Sequence, residues 1–422
     1  MNNKLRMEYF GCVVYSPKLK SYIHGDFLTR DIILNWDKLM NDEYIDLLID
    51  KYDTDKNEIN EIMEYLNEVD IKNTNTEVIN DKHPKSHLVA PLRVFLDFTY
   101  KCNLRCKHCF TESGLMKEDE LNFEQKKSII DQMISMGTYR ISLAGGEPLI
   151  SEEFFPFIEY ARSKGVDVSF TTNGTLINTK IISKLNQLNV KTITISLDGP
   201  NKEIHDYIRG EGQFDIVTKN IKLMAKEYKG KIALRMTLMK SNINKIAECV
   251  ELAENLGCHS VKFNCIRPTG RALHNKELLL STDDYINAVK RASSIKSSKV
   301  KVVLPLNPFD GACYDYIESL GFGCVAGKDC MTIFPSGQVK PCSQLSEEYV
   351  AGNSKNINLK TIWDESEIFN MFRNLKGNDT CKNCEVYGKC RAGCRYRALV
   401  QGDINAVDPY CYLRKGECIN EW

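Results

Sequence analysis

The chain has 422 residues, 56 Lys and Arg balanced by 56 Asp and Glu, 43% apolar residues and 17 cysteines. That length suggests two or three domains with ample core, and the zero net charge leaves no broad basic face for nucleic acid. No signal-peptide core opens the chain and no run reaches the roughly 20 apolar residues of a membrane span, so the expected setting is cytoplasmic, with no membrane partner. In a reducing compartment, cysteines in such number indicate soft-metal ligation rather than disulfides. Three group tightly at Cys102, Cys106 and Cys109, and a second crowd runs from Cys313 to Cys418.

Residues 10–16 and 19–24 are β-prone runs separated by Pro17 and Lys18, which predicts a hairpin. Helical spacing follows: Tyr44, Leu47 and Leu48 share a face, as do Ile59, Ile62, Met63, Leu66 and Val69. The polar stretch 72–86 reads as a linker, so the first unit is expected over 1–87. From Leu92 to about residue 300, short apolar runs at 93–98, 140–143, 167–171, 192–197, 231–237 and 260–265 alternate with helices such as 123–136 and 154–164. Six βα units demand a parallel sheet, and six rather than eight favour a partial (β/α)6 barrel over 88–305 within an α/β chain. The cysteine-rich remainder, 306–422, forms a third unit.

In parallel α/β sheets reactive groups sit after the strands' C-terminal ends. Cys102, Cys106 and Cys109 follow the first strand; Gly145, Gly146 and Glu147 the second; Asn173 the third; Ser196 ends the fourth, followed by Asp198. Three thiolates spaced C-x3-C-x2-C can hold an iron–sulfur cube with one iron left without a protein ligand. Alternatively His108 completes a four-ligand zinc site with them.

The run Cys102-Asn103-Leu104-Arg105-Cys106-Lys107-His108-Cys109, with Gly145-Gly146-Glu147 one unit later, resembles the radical S-adenosylmethionine (SAM) superfamily. The resemblance implies that the three cysteines hold a 4Fe-4S cluster whose open iron chelates SAM, and that reductive SAM cleavage yields a 5′-deoxyadenosyl radical that abstracts hydrogen. It also implies that Gly145, Gly146 and Glu147 meet the SAM amino group, with Asn173, Ser196, Asp198 and Arg209 as further SAM contacts. Asp198-Gly199-Pro200 is also an ordinary turn, and Arg209 is equally read as a solvated charge or a substrate contact. Gly270-Arg271-Ala272 resembles a family turn near the adenine. The family position before the third cysteine is usually aromatic, and His108 stands there.

Cys324, Gly337 and Cys342, then Cys381-x2-Cys384-x5-Cys390-x3-Cys394 and Cys411, resemble the SPASM extension, which carries auxiliary iron–sulfur clusters. Carried across, the family's interleaved connectivity implies one auxiliary cluster on Cys324, Cys330, Cys342 and Cys394 and a second on Cys381, Cys384, Cys390 and Cys411. That makes three 4Fe-4S clusters in all. Cys330 carries most consequence, because without it the first auxiliary cluster has an open iron. Zinc ribbons fit the C-x5-C-x3-C tail badly. Cys12, Cys249 and Cys265 lie in strand or helix patterns where core packing is the default, Cys258 has no assigned role, and Cys313 and Cys418 are stand-in ligands.

The first unit resembles the winged-helix peptide-recognition domain of enzymes that modify ribosomally made peptides, a domain that adds a leader peptide as a strand to a sheet edge. Together these resemblances imply a peptide maturase that links a cysteine sulfur to a carbon of its precursor peptide. An external one-electron donor such as flavodoxin or ferredoxin is then required. Carbon–carbon crosslinking, formylglycine formation on a sulfatase, and a non-enzymatic iron–sulfur or zinc scaffold are the alternatives. No side chain stands out as a catalytic base, although Asp97, Glu112, Arg235 and Asn264 occupy plausible cavity positions.

Overall fold

The computed structural model describes residues 2–80, 87–115, 119–303, 324–385 and 387–411. Cys313 and Cys418 lie outside the described residues. The N-terminal unit holds β1 (Asn3–Glu8), β2 (Gly11–Ser16), β3 (Ser21–Gly25), α1 (Phe27–Leu34), α2 (Asp42–Tyr52), α3 (Lys56–Glu68) and β4 (Thr76–Val78). The expected hairpin is β2–β3, and β1 adds a third antiparallel strand. Part of the expected linker is β4, which pairs parallel to β1, so the sheet order is β3-β2-β1-β4. Three residues make a strand too short to register against its polar composition; pairing supplies what periodicity lacks. Each of the three helices starts on a side-chain cap, Asp26, Asn41 or Asp55.

The central unit runs β5 (Arg93–Asp97), α4 (Phe123–Met136), β6 (Arg140–Ala144), α5 (Phe154–Ser163), β7 (Asp167–Thr172), α6 (Thr179–Gln187) and β8 (Thr192–Ser196). It continues with α7 (Lys202–Arg209), α8 (Gln213–Glu227), β9 (Lys231–Leu238), α9 (Ile246–Asn255), β10 (Ser260–Cys265), α10 (Thr282–Ser294) and β11 (Lys301–Val303). Neighbours from β5 to β11 all pair parallel, adding one short strand to the six expected. One row of each strand, such as Ile141 and Leu143 or Ile193 and Ile195, is buried in the core. The alternate row is mostly polar, with Phe95, Ala144 and Ala233 the apolar members: Arg93 and Asp97, Arg140 and Ser142, Ser169 and Thr171, Thr194 and Ser196, Arg235 and Thr237, Lys262 and Asn264. A sheet with one apolar and one polar face, curved by its twist, buries the first under helices and turns the second inward.

The third unit is not separate from that sheet. Its β12 (Cys330–Ile333) pairs parallel to β5, and β13 (Gln338–Lys340) and β14 (Gly352–Asn353) extend the sheet to ten strands among the described residues. The short helices α11 (Leu359–Glu365), α12 (Glu367–Asn374), α13 (Asp379–Lys382), α14 (Tyr387–Cys390) and α15 (Arg395–Val400) follow. Trp363 Nε1 donates to Leu88 O at 2.8 Å, and Glu8 Oε2 accepts from Val89 N at 2.8 Å. The junction near residue 88 is therefore buried between the N-terminal sheet and α11. Val13, Tyr15 and Tyr22 belong to the same apolar core as the barrel strands and Trp363.

Candidate functional site

The cysteine loop leaves the C-terminal end of β5 and is closed at its neck by Cys102 N to Gly114 O at 2.9 Å and Gly114 N to Tyr100 O at 2.8 Å. Its crest is held from across the barrel. Arg271 Nε donates to Cys106 O at 2.8 Å, Arg271 Nη1 to Ser113 O at 3.0 Å, and Arg271 N to Cys109 O at 3.0 Å. Asn275 Nδ2 adds a bond to Lys107 O at 3.1 Å. A Cβ on Gly270 would stand 2.5 Å from Cys109 O and Phe110 O, so only glycine lets the turn close on the loop. The turn at 270–272 thus packs on the main chain of the cysteine loop. Sequence reasoning found this turn but not its hold on the thiolates.

Burial pushes the Cys102 thiol up to about 11 and raises that of Cys106 as well, the latter opposed by Arg209 and Arg271. Arg209, at the C-terminal end of α7, is buried; its Nη1 lies 3.7 Å from Cys106 Sγ and its Nε 2.6 Å from Asp198 Oδ2. Asp198 is fully enclosed and also accepts from Thr237 N at 2.8 Å and faces His108 Nε2 at 3.1 Å. Burial alone would raise its carboxyl, but Arg209 and His108 outweigh that and hold it well below the usual carboxylate range. His205 Nδ1 accepts from Asp198 N at 3.2 Å; burial and then Arg209 lower its pKa to about 4. His108 turns Nε2 to a carboxylate and leaves its buried Nδ1 without a hydrogen-bond partner among the described residues. Among the described residues no three His, Cys, Asp or Glu side chains are grouped to hold a single metal ion.

Gly146 sits where a Cβ would come within 2.1 Å of Lys101 O, and Gly145 has φ +103°. Gly146 N donates to Thr99 O at 2.8 Å and Glu147 N to Lys101 O at 2.9 Å, laying this turn along the cysteine loop. The Glu147 carboxylate is fully buried and accepts from Thr172 Oγ1 at 2.8 Å, Asn173 N at 2.7 Å and Leu149 N at 3.2 Å. Burial still carries its pKa up to about 7. Asn173 Nδ2 reaches Asn103 Oδ1 at 2.8 Å, so the loop after β7 also grips the cysteine loop. Ser196 lies in the polar row of β8, in register with Arg235.

Of the other cavity candidates, Asp97 is buried, its Oδ2 has no hydrogen-bond partner among the described residues, and burial raises its pKa to about 7. Arg235 Nη1 lies 3.4 Å from Thr171 Oγ1, Asn264 is half-buried in the polar row of β10, and Glu112 has φ +51° in the cysteine loop.

The C-terminal cysteines fall into two neighbourhoods. Cys324 and Cys342 each feel Cys394, and Cys342 feels Cys324; burial raises both thiols, that of Cys342 to about 11. Cys330, in β12, has its Sγ 3.7 Å from Val325 O, next to Cys324 in the chain. Cys381 interacts with Cys384 and Cys411, and Cys390 with Cys381 and Cys411. Between them runs a buried polar lattice that sequence reasoning missed. Arg397 pairs with both oxygens of Asp408, at 2.8 and 2.7 Å, and Asp408 Oδ2 accepts from Cys394 N at 2.7 Å. The available signal was the pair Arg395 and Arg397 in a short helix that opens directly on a cysteine. Cys12, Cys249, Cys258 and Cys265 are buried in the apolar cores.

A parallel half-barrel that clamps a three-cysteine loop at its strand ends, beside a second cysteine-rich unit, defines an α/β protein with two separate cysteine sites. The radical SAM superfamily model matches residues 96–253, and the SPASM iron–sulfur cluster-binding domain model matches residues 324–385. The AdoMet-dependent heme synthase of Methanosarcina barkeri is 31% identical over 78% of this chain and 98% of its own. The mycofactocin maturase MftC of Mycolicibacterium smegmatis is 27% identical over 79% of this chain and 84% of that protein. Among solved structures, Streptococcus suis SuiB bound to its precursor peptide SuiA superposes with a TM-score of 0.73 at 14% identity, covering 99% of both chains. The chain belongs to the radical SAM superfamily, with a SPASM domain. That assignment implies SAM and 4Fe-4S clusters, and the residues at the first site fit such a group: three sulfurs on a clamped loop, with a buried guanidinium at one of them to offset anionic charge. Among the described residues no helix is long and apolar enough to cross a membrane.

Proposed function

We propose that the chain is a SAM-dependent maturase of a ribosomally made precursor peptide and that it joins a cysteine sulfur to a carbon of that peptide. Cys102, Cys106 and Cys109 would hold the cluster that binds SAM, and Gly145, Gly146, Glu147, Asn173 and Ser196 would line the SAM pocket. Bound there, cluster and SAM would supply a one-electron cleavage yielding a hydrogen-abstracting radical. His108, Asp198 and Arg209 would be further SAM contacts, and they are joined to one another and to Cys106 by charge and hydrogen bonding. Cys324, Cys330, Cys342 and Cys394, and Cys381, Cys384, Cys390 and Cys411, would carry the two auxiliary clusters that accept the electron left on the substrate. Forming each thioether makes one sulfur–carbon bond, breaks one S–H and one C–H, and removes two hydrogens from the peptide.

The observation that carries this reading is the N-terminal sheet: among the described residues its edge strand β3 has a neighbour on one side only, and Val13, Tyr15 and Tyr22 tie the sheet into the barrel's core. An edge of this kind accepts a peptide strand. The unit over 1–87 would bind the leader, and a cytoplasmic flavodoxin- or ferredoxin-type donor would reduce the first cluster.

The test is anaerobic incubation of the reconstituted chain with SAM, reductant and short cysteine-containing peptides encoded beside its gene. The reading expects 5′-deoxyadenosine, a product lighter by two hydrogens per crosslink, and one alkylatable thiol fewer for each. A second reading, a tetrapyrrole substrate, is favoured by the relatives named as heme synthases and by the cationic polar row of Arg93, Arg140, Arg235 and Lys262, which suits carboxylates. Consumption of an iron porphyrin with the peptides left unchanged would replace the first reading by the second.

A further inference from the structure

The cysteine loop carries cations on its solvent side. Lys101 and Arg105 are exposed and Lys107 is partly so, next to Cys102 and on either side of Cys106 in the chain. Contacts join them into one surface. Lys101 pairs main chain with Gly114, and the Arg105 guanidinium fills the place a Cβ on Gly114 would take, donating from Nη1 to Ser113 O at 3.0 Å. Arg271 donates to the same carbonyl, and the turn that carries it presents Leu273, 46% exposed. On the other flank Lys107 Nζ stands 3.4 Å from the ring centre of Tyr207, also 46% exposed. Glu112 is the only acid between residues 101 and 115. An apolar side chain exposed by itself is ordinary; two of them beside three cations, around the loop that bears the sulfurs, make a small charged docking face.

We propose that this face receives an acidic one-electron carrier protein, with Lys101, Arg105 and Lys107 meeting its carboxylates and Tyr207 and Leu273 packing beneath it. Electron transfer weakens steeply with distance, so a carrier must seat where little protein separates its redox centre from the sulfurs. The inner side of the loop is taken up by the 145–147 turn and by Arg209. That leaves the solvent side, where only the loop itself intervenes. Opposite charge steers such an encounter and fixes its register, and a face of this size suits the small, transient contacts of redox partners. The carrier is oxidised by one electron and the first cluster reduced by one, with no bond made or broken.

This inference rests on the reading that Cys102, Cys106 and Cys109 hold a cluster reduced from outside, and the test separates the two. Dithionite needs no docking face and should drive 5′-deoxyadenosine formation by the parent chain; its failure there would remove the underlying reading. Docking is read apart from turnover, by calorimetric binding of an oxidised acidic flavodoxin and of an oxidised acidic ferredoxin to the full iron-loaded chain at low and high salt. At least one should bind. Lys101→Gln with Lys107→Gln should weaken that binding about tenfold or more at low salt and flatten its salt dependence, and Leu273→Asp should weaken it as well. Lys18→Gln with Lys164→Gln, an equal loss of exposed charge at the opposite end of the barrel strands, should leave it unchanged. All of these variants should keep the parent's dithionite-driven turnover. Binding of neither carrier, or binding unaffected at Lys101 and Lys107, would overturn the proposal. So would an equal loss of the dithionite-driven turnover, which would make the cations supports of the site rather than a docking face.

Discussion

Arg209 donates from Nε to Asp198 Oδ2 at 2.6 Å while its Nη1 lies 3.7 Å from Cys106 Sγ, so one guanidinium ties the end of β8 to the cysteine loop. Removing one partner strands the other charge in a buried site. Asp198→Asn should destabilise the chain by about 3–5 kcal/mol, read by anaerobic urea unfolding. The double variant Asp198→Asn with Arg209→Met should cost less than the sum of the singles. Single losses within about 1 kcal/mol, the range of exposed pairs, would refute the coupling.

Gly146 is a steric requirement rather than a torsional one, since an added Cβ meets Lys101 O at 2.1 Å. Main chain cannot yield as a flexible side chain does. Gly146→Ala should displace the cysteine loop, costing about 1–3 kcal/mol and most of the 5′-deoxyadenosine formed. Gly212→Ala, where nothing lies within 4 Å of the new Cβ but φ is +77°, is the control for torsional strain alone: it should cost about 1 kcal/mol of stability and keep the activity.

Asp97 makes stability depend on pH in the direction opposite to a salt-bridged carboxylate. Burial raises its pKa to about 7 from 3.8, so below pH 4 the folded and unfolded forms are both protonated and nothing is lost. Between about 4 and 7 only the folded form keeps the proton, and stability falls as pH rises, by at most about 1.4 kcal/mol per unit. Glu147 adds a decline of the same sign, so unfolding curves of Asp97→Asn across pH 4 to 8 should show a shallower fall than the parent; an identical slope in both proteins would contradict the assignment.

Tyr22 joins the N-terminal sheet to the barrel, accepting at its hydroxyl from Tyr139 N at 2.8 Å. Tyr22→Phe leaves that buried N–H unsatisfied, at about 1–3 kcal/mol. The N-terminal unit has a core of its own, but Val13, Tyr15 and Tyr22 pack into the barrel's core as well, so unfolding should remain a single transition by fluorescence and circular dichroism alike. A separate early transition would show that the N-terminal unit folds alone.

Arg271 clamps the crest of the cysteine loop through three main-chain carbonyls. Arg271→Ala should lower iron retained at Cys102, Cys106 and Cys109 after desalting, with the auxiliary iron unaffected. Full retention would assign the clamp to Asn275 and the neck hydrogen bonds instead.

Much of this molecule was legible in one dimension, for reasons that differ along the chain. The six barrel strands announced themselves because a half-buried parallel strand needs apolar residues at every second position, and helix 123–136 because its amphipathic pattern has the bounds of the folded α4. The cysteine spacings were visible because a cluster demands several thiolates within a short loop, a constraint written directly in sequence. Hidden were the partners that distant segments provide: β12 on β5, α11 on Leu88, Arg271 on the cysteine loop, Asp408 on Arg397 and the Cys394 main chain. These depend on which buried charge meets which carbonyl or sulfur after the sheet has curved. Local patterning dictates which face of an element seeks the core, whereas desolvated charges are matched only when the whole chain has closed around them.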